Sequence, residues 1–516
     1  MSKADKFDDL DDLDEKEEKE EKEKKDSLSK EEYKILFDEH SKKLGKLHRA
    51  GSKANQQVVI LVEGWLGALK SRILSKILTT LDPRKYTLYS ASKIKQENFE
   101  KPLWSFFWDR APVKGELTFY NRSWYFLKNE KELGNDDISE IWGDFSYDQI
   151  NEYEKELIDD GCILIKIFTE ISEKKNKKNL EKIDGIYGDD WEILRKHAFE
   201  GTDYDKYKKI YNKMLKKTDT KIAPWHKIDA NNFRKAQIEI LKLIETEIAK
   251  GMELNSQKSF KRITADVSFN DNYKYEKIPD ILSKTDLTKS ISREEYNKKL
   301  DELQDDIQRL QYQLYKQKTA SIFGFEGWDA GGKGGAIKRF TRALYPLGYE
   351  VVPTAAPNER ENNRHYLWRF WNKIPFDGEI TIFDRTWYGR VLVEKIERFA
   401  TKNEWQRAYD EINNMEYIWA CHGMIVNKFW MQIDKDEQYK RFMEREHNPE
   451  KNWKITDEDW RNRDKWDAYE DAVNEMLYRT NTEYAPWYVI AGNDKLYARI
   501  SVLKHIKENM EKKLKK

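Results

Sequence analysis

Glu326-Gly327-Trp328-Asp329-Ala330-Gly331-Gly332-Lys333-Gly334-Gly335-Ala336-Ile337-Lys338-Arg339-Phe340 is the stretch whose reading decides the fold. It follows a short apolar run, Thr319 to Phe325, and leads into helical spacing from Ala336 to Leu344, so it reads as the turn of a strand-loop-helix unit. Gly327-x-x-x-x-Gly332-Lys333 has the spacing of a phosphate-binding loop. Glycines let successive N–H groups turn inward around phosphate oxygens, the helix start presents its positive end, and Lys333 adds a mobile charge. Gly331, Gly334 and Gly335 extend the same turn.

The context supports this reading. Glu379 to Phe383 forms a second expected strand, ending at Asp384, and Met424 to Ile433 and Trp487 to Ala491 form two more between helical segments. Strands that alternate with helices imply an α/β fold in three layers, a parallel sheet with helices on both faces. Ligands of such sheets bind at the carboxyl ends of the strands, where both the loop and Asp384 fall.

The chain contains this domain twice. At an offset of 263, Ser27-Leu28-Ser29 pairs with Ser290-Ile291-Ser292, Glu63-Gly64-Trp65 with Glu326-Gly327-Trp328, and Trp108 with Trp371. Asn121-Arg122-Ser123-Trp124-Tyr125 pairs with Asp384-Arg385-Thr386-Trp387-Tyr388 at the same offset. Further on the offset becomes 262, pairing Gly161 with Gly423, Trp191 with Trp453 and Ala223-Pro224-Trp225 with Ala485-Pro486-Trp487. So long a period means duplicated domains, not a solenoid. The expected layout is an acidic, disordered tail (1–26), a degenerate and inactive first domain (27–255), a polar linker (256–285) and a catalytic domain (286–516).

The two copies act as controls for each other. Asp329 corresponds to Leu66, Gly332 to Leu69, Gly334 to Ser71 and Asp384 to Asn121. Arg369, Arg390, Arg441 and Arg445 correspond to Phe106, Leu127, Asn179 and Ile183. Trp371, Trp387, Tyr388, Trp453 and Trp487 keep identical partners and read as scaffold, while the arginines lost in the first copy read as ligand contacts. Position 334 is glycine where a phosphate loop usually carries a magnesium-binding hydroxyl. One or two carboxylates with phosphate oxygens and water suffice for magnesium, so Asp329 and Asp384 are the candidate ligands. The polar segment from Arg441 to Asp467, with Arg445, Lys451 and Lys454, reads as a lid that closes cations over phosphates and excludes water. His447 reads as a surface residue of that lid.

Composition narrows the partners. The 516 residues are 39% apolar and 13% aromatic, with no run long enough for a membrane span and an acidic N-terminus unlike a leader. Two cysteines, Cys162 and Cys421, fall at non-equivalent positions, which argues against a disulfide framework and fits a cytoplasmic protein. The net charge of zero conceals an asymmetry, because residues 1–26 hold 13 acidic side chains against 7 lysines, leaving about +6 on the rest. Nucleic-acid and membrane partners are not expected, and any basic surface is local. Self-association is left open.

The loop, the segment Asp384-Arg385-Thr386-Trp387-Tyr388-Gly389-Arg390-Val391-Leu392-Val393-Glu394, the Arg441 to Lys454 lid and Ala485-Pro486-Trp487 together resemble polyphosphate kinase type 2, once per copy. The tandem arrangement resembles the branch that phosphorylates AMP from inorganic polyphosphate. That resemblance implies two kinase-like domains with a helical lid, with polyphosphate as donor, AMP as acceptor and Mg2+ as cofactor. It implies that Asp329 and Asp384 hold the metal and orient the acceptor, that Lys333 neutralises transferred charge, and that Arg385, Arg441 and Arg445 grip phosphates. An ATP-dependent nucleoside monophosphate kinase resembling thymidylate kinase is the competing reading.

Overall fold

Apolar runs with little alternation belong to strands covered on both faces, and such runs form the centre of each sheet. The structure, a computed structural model, describes residues 28–91, 101–134, 145–187, 204–264, 277–449, 452 and 455–515. The expected acidic tail, Trp191 and Trp453, and the lid residues Lys451 and Lys454 lie outside them. The strands are β1 (Val58–Gly64), β2 (Tyr86–Tyr89), β3 (Leu117–Asn121), β4 (Ile163–Glu170) and β5 (Trp225–Asp229), then β6 (Ser321–Gly327), β7 (Tyr349–Pro353), β8 (Ile380–Asp384), β9 (Ile425–Gln432) and β10 (Trp487–Ala491).

The chain divides into two compact units, Met1–Lys95 with Pro112–Ser268 and Gln96–Ala111 with Phe269–Lys516. Each holds one five-stranded sheet, ordered β2-β3-β1-β4-β5 in the first and β10-β9-β6-β8-β7 in the second. Every pairing is parallel. Under the repeat these are one order read from opposite edges, so the duplication is a duplication of topology as well as of sequence. In the second unit β6 is central, with Phe325 level with Asp384 on β8 and with Phe429 on β9. The loop after β6 and the acid ending β8 therefore share one edge of the sheet.

On one face of that sheet, Ile307, Leu314, Phe340, Val502, Ile506 and Met510 pack with Phe323, Phe325, Ile382 and Phe429. They come from helices Arg293–Lys316, Lys333–Thr341 and Lys495–Leu514. The indoles of Trp371 and Trp387 meet Trp419, on helix Lys402–Cys421, at 5.5 and 5.0 Å. Ser292, Thr401 and Asp494 cap their helices by accepting from the third amide of the first turn. Cys162 and Cys421 are both free thiols.

The division into units is not linear along the chain. Residues 96–111, inside the span expected to belong to the first domain, cluster with the second unit. There Trp108 stacks on Trp371 at 6.1 Å and 12°, and the indole of Trp368 donates to the Asp109 carbonyl. The first unit's last helix runs to Thr264, past the expected boundary at 255. The chain from Ile281 is tied to the second unit by Asn474, whose Oδ1 accepts from the Ile281 and Leu282 amides.

The retained tryptophans have a specific reason. Trp387 Nε1 and Tyr388 Oη both donate to Glu416 Oε1 (2.9 and 2.8 Å), while Lys428 Nζ reaches Glu416 Oε2 and the Thr480 carbonyl, each at 2.7 Å. The Lys428 ammonium lies 5.2 Å from the ring centres of Tyr388 and Trp487. Trp124, Tyr125, Glu154, Lys166, Thr218 and Trp225 repeat this network in the first unit. Burial pushes the Glu416 carboxyl up and the Lys428 ammonium down, and their mutual attraction opposes both shifts. Removing one member of a fully buried pair strands the other charge, at a cost of about 3–5 kcal/mol. Glu416→Gln in the full chain is therefore expected to lower the free energy of unfolding by that amount, read as a lower urea midpoint; an unchanged midpoint would show that the pair carries no stability.

Candidate active site

The loop's shape follows from two glycines. Gly327, with φ +149°, lies so close to β9 that a Cβ would meet the Met431 backbone at 2.7 Å. Gly332, with φ +111°, occupies the N-cap of helix Lys333–Thr341 in the left-handed region. Beyond it, a Cβ on Gly334 would meet open space, so the position that usually carries a hydroxyl is clear. Gly331 donates its amide to the Trp328 carbonyl, and Gly335 begins the next helical turn. Lys333 folds back over the loop, its ammonium 2.7 Å from the Gly327 carbonyl oxygen.

Around the loop the structure gathers part of the expected set. Asp329 Oδ1 lies 3.3 Å from Arg385 Nη2 and its Oδ2 accepts from Asn462 Nδ2 at 2.9 Å. Asp384 ends β8 one residue before Arg385, and Arg385 has φ +63°. That left-handed turn is held by Glu326, whose buried carboxylate accepts from the Thr386 amide (2.6 Å) and hydroxyl (2.9 Å). Burial pushes the Glu326 carboxyl up, against the opposing pull of Lys333 and Thr386. Arg445 is half-buried; burial lowers its pKa, and Asp459 and Asp329 act against that shift, which places it in the same electrostatic neighbourhood.

Other expected contacts fall elsewhere. Arg441 is buried behind the loop, donating to the carbonyls of Ala330 (2.9 Å), Gly492 (2.6 Å) and Asn493 (3.0 Å), with Nε on Glu437. Four of its contacts go to protein oxygens, and through the Ala330 carbonyl it braces the loop. Arg369 is held by Glu361 and the Ala355 carbonyl, and Arg390 by Glu394 beside the Tyr366 ring. The lid segment forms helices Lys435–Glu446 and Asp457–Asp464, and Gln438 on the first donates to the Asp329 carbonyl. Sequence reasoning missed Glu326, Gln438 and Asn462. Glu326 had a visible signal, its identical partner Glu63.

The first copy keeps the frame with its groups turned inward. Leu69 holds the left-handed turn at φ +56°, and Lys70 is buried against the Gly64 and Trp65 carbonyls. The Gly67 amide donates to Asn176 Oδ1 at 3.0 Å, Asn179 donates to the Gly67 carbonyl at 2.8 Å, and Asn121 donates to the Ser71 hydroxyl at 2.7 Å. Lys70 makes the contacts that Lys333 makes, so what sets the first copy apart is the Gly67 amide, tied to Asn176, and Leu66 and Asn121 where the second copy has acids.

The model for polyphosphate kinase 2 matches residues 27–256 and again 290–516. The chain belongs to the polyphosphate kinase 2 family. It is 36% identical over 465 residues to polyphosphate:AMP phosphotransferase of Pseudomonas aeruginosa, covering 90% of this chain and 92% of that one. The corresponding protein of Acinetobacter johnsonii is 35% identical over 457 residues, 88% of this chain and 91% of the relative. A crystallised Pseudomonas aeruginosa PA01 chain assigned to polyphosphate kinase 2 superposes with a TM-score of 0.80 at 32% identity, covering 96% of this chain and 99% of that one.

The two copies predict how the loop tolerates change. Gly332→Leu copies Leu69, and a left-handed non-glycine residue costs about 1–2 kcal/mol. The variant is expected to melt slightly earlier and to lose tripolyphosphate binding in titration calorimetry; undiminished binding would show that the second glycine does not shape the cradle.

Proposed function

We propose that the protein transfers a phosphoryl group from inorganic polyphosphate to AMP, giving ADP, with the chemistry in the second copy. What carries this reading is the contrast between an acid-bearing loop in the second copy and a self-satisfied one in the first, in a chain whose relatives along most of its length are named polyphosphate:AMP phosphotransferase.

An oxygen of the AMP phosphate attacks the terminal phosphorus of the chain, the bond to the bridging oxygen breaks, and the shortened polyphosphate leaves with that oxygen's electron pair. The migrating group spreads charge over its equatorial oxygens, so catalysis is alignment plus cations. Loop amides and Lys333 receive the transferred group, and Arg385, steered by Asp329 and by the Glu326 bridge, faces it from the end of β8. Asp329 and Asp384 supply hard oxygen ligands at one edge of the sheet beside the clear position at Gly334, a donor set that suits Mg2+. An ion held by Asp329 and Asp384 would supply charge neutralisation to the reacting phosphates. Arg445 and the helices Lys435–Glu446 and Asp457–Asp464 form a lid that excludes water. No helix among the described residues is long and apolar enough to cross a membrane, in keeping with a cytoplasmic reaction.

Incubation with AMP, magnesium and either polyphosphate or ATP is expected to give ADP from polyphosphate; ADP formed only with ATP would replace this reading with a nucleoside monophosphate kinase. Asp329→Asn and Asp384→Asn are each expected to lower kcat by at least about a hundredfold with the melting temperature retained. Near-normal turnover in both would remove the metal assignment.

A further inference from the structure

Three arginines of the second unit that the mechanism does not use lie together, and none of them forms an ion pair among the described residues. The influences that act most strongly on Arg499 are its own burial, Arg339, Tyr296 and Arg293, and burial with Arg339 lowers its pKa. Arg293 stands 5.8 Å from the Tyr296 ring centre, and the Arg499 guanidinium rests against Gly335, where a Cβ would lie 3.4 Å from Nη2. Arg339 gives Nη1 to the Gly335 carbonyl at 3.3 Å, while its buried Nε has no hydrogen-bond partner among the described residues. Like charges drawn together without a counter-charge destabilise a fold unless an anion joins them.

Their position is informative. Helix Lys495–Leu514 begins just beyond the carboxyl end of β10, so Arg499 lies in its second turn on the loop's side of the sheet. Helices Arg293–Lys316 and Lys495–Leu514 run in the same direction, since Tyr296 adjoins Arg499 and Asp306 meets Lys507 at 2.6 Å further along both. Their positive ends therefore face the same edge. Gly335 is the third residue of the loop's own helix, which sets the cluster within one turn of Lys333. In the first copy Lys30 and Lys76 occupy the positions of Arg293 and Arg339, but Gln237 replaces Arg499 and pairs with the Tyr33 hydroxyl. Arg72, at the Gly335 position, lies over the Phe233 ring instead.

We propose that Arg293, Arg339 and Arg499 form a second anchor for the polyphosphate chain, holding units distal to the one being transferred. This rests on polyphosphate being the donor. A linear polyanion with its end in the loop passes over the first turn of helix Lys333–Thr341 and meets the three guanidinium groups, each donating to non-bridging oxygens.

Arg499→Gln, the first copy's own residue, separates the possibilities. With AMP as acceptor it is expected to raise KM for long-chain polyphosphate about fivefold to tenfold, and to flatten the dependence of that KM on salt. KM for tripolyphosphate should shift less than about twofold, and Arg499→Lys should restore most of the loss because charge survives. An unchanged ratio of the two KM values overturns the proposal, whether neither shifts or both rise together as in a general disturbance of the loop. Failure of the unmodified protein to use any polyphosphate would instead overturn the reading of the donor.

Discussion

One buried carboxylate sets the geometry on which the site depends. Glu326, the next-to-last residue of the central strand, reaches across to the turn after the neighbouring strand and accepts both the amide and the hydroxyl of Thr386. Two hydrogen bonds to a buried carboxyl hold that turn against its own backbone preference, which disfavours the left-handed Arg385. Because the loop starts on the residue after Glu326 and the acid Asp384 stands two before Thr386, the bridge sets the spacing between phosphate cradle and carboxylate. In the first copy Glu63 makes the same bonds to Ser123, at 2.6 and 2.7 Å, and Arg122 is left-handed too.

A second anchor works from the other side of the same turn. Trp387 and Tyr388 follow Thr386 directly and hang on the buried Glu416, itself neutralised by Lys428. A turn held by one carboxylate at its start and another at its end has little freedom left. Both anchors are present in both copies, including the one with Leu66 and Asn121 in place of Asp329 and Asp384, so they belong to the architecture.

Much of this was legible. Apolar runs bounded by glycine located the central strands, and the constant offset gave the duplicated topology without any knowledge of contacts. The tryptophans were readable as scaffold, although nothing local to them shows that they serve a buried ion pair. Glu416 and Lys428 lie 12 residues apart on a helix and a strand, and only the fold brings them together. The exchange of residues 96–111 into the second unit was invisible for a similar reason: it depends on the stacking of Trp108 on Trp371, a pair that the repeat shows as equivalent and not as neighbours.

Arg441 shows why a lost residue is not always a lost function. Asn179, its counterpart, donates to the carbonyl of Gly67, and Arg441 donates to the carbonyl of Ala330, the equivalent loop position. The substitution changed the donor and kept the bond. By contrast, Asn121 in place of Asp384 turns an acceptor into a donor and spends it on Ser71, so the acid's capacity to hold a cation disappears. A difference between copies therefore marks chemistry only when the contact itself is gone. By that criterion the change at position 384 removes a contact, whereas the change at position 441 keeps one.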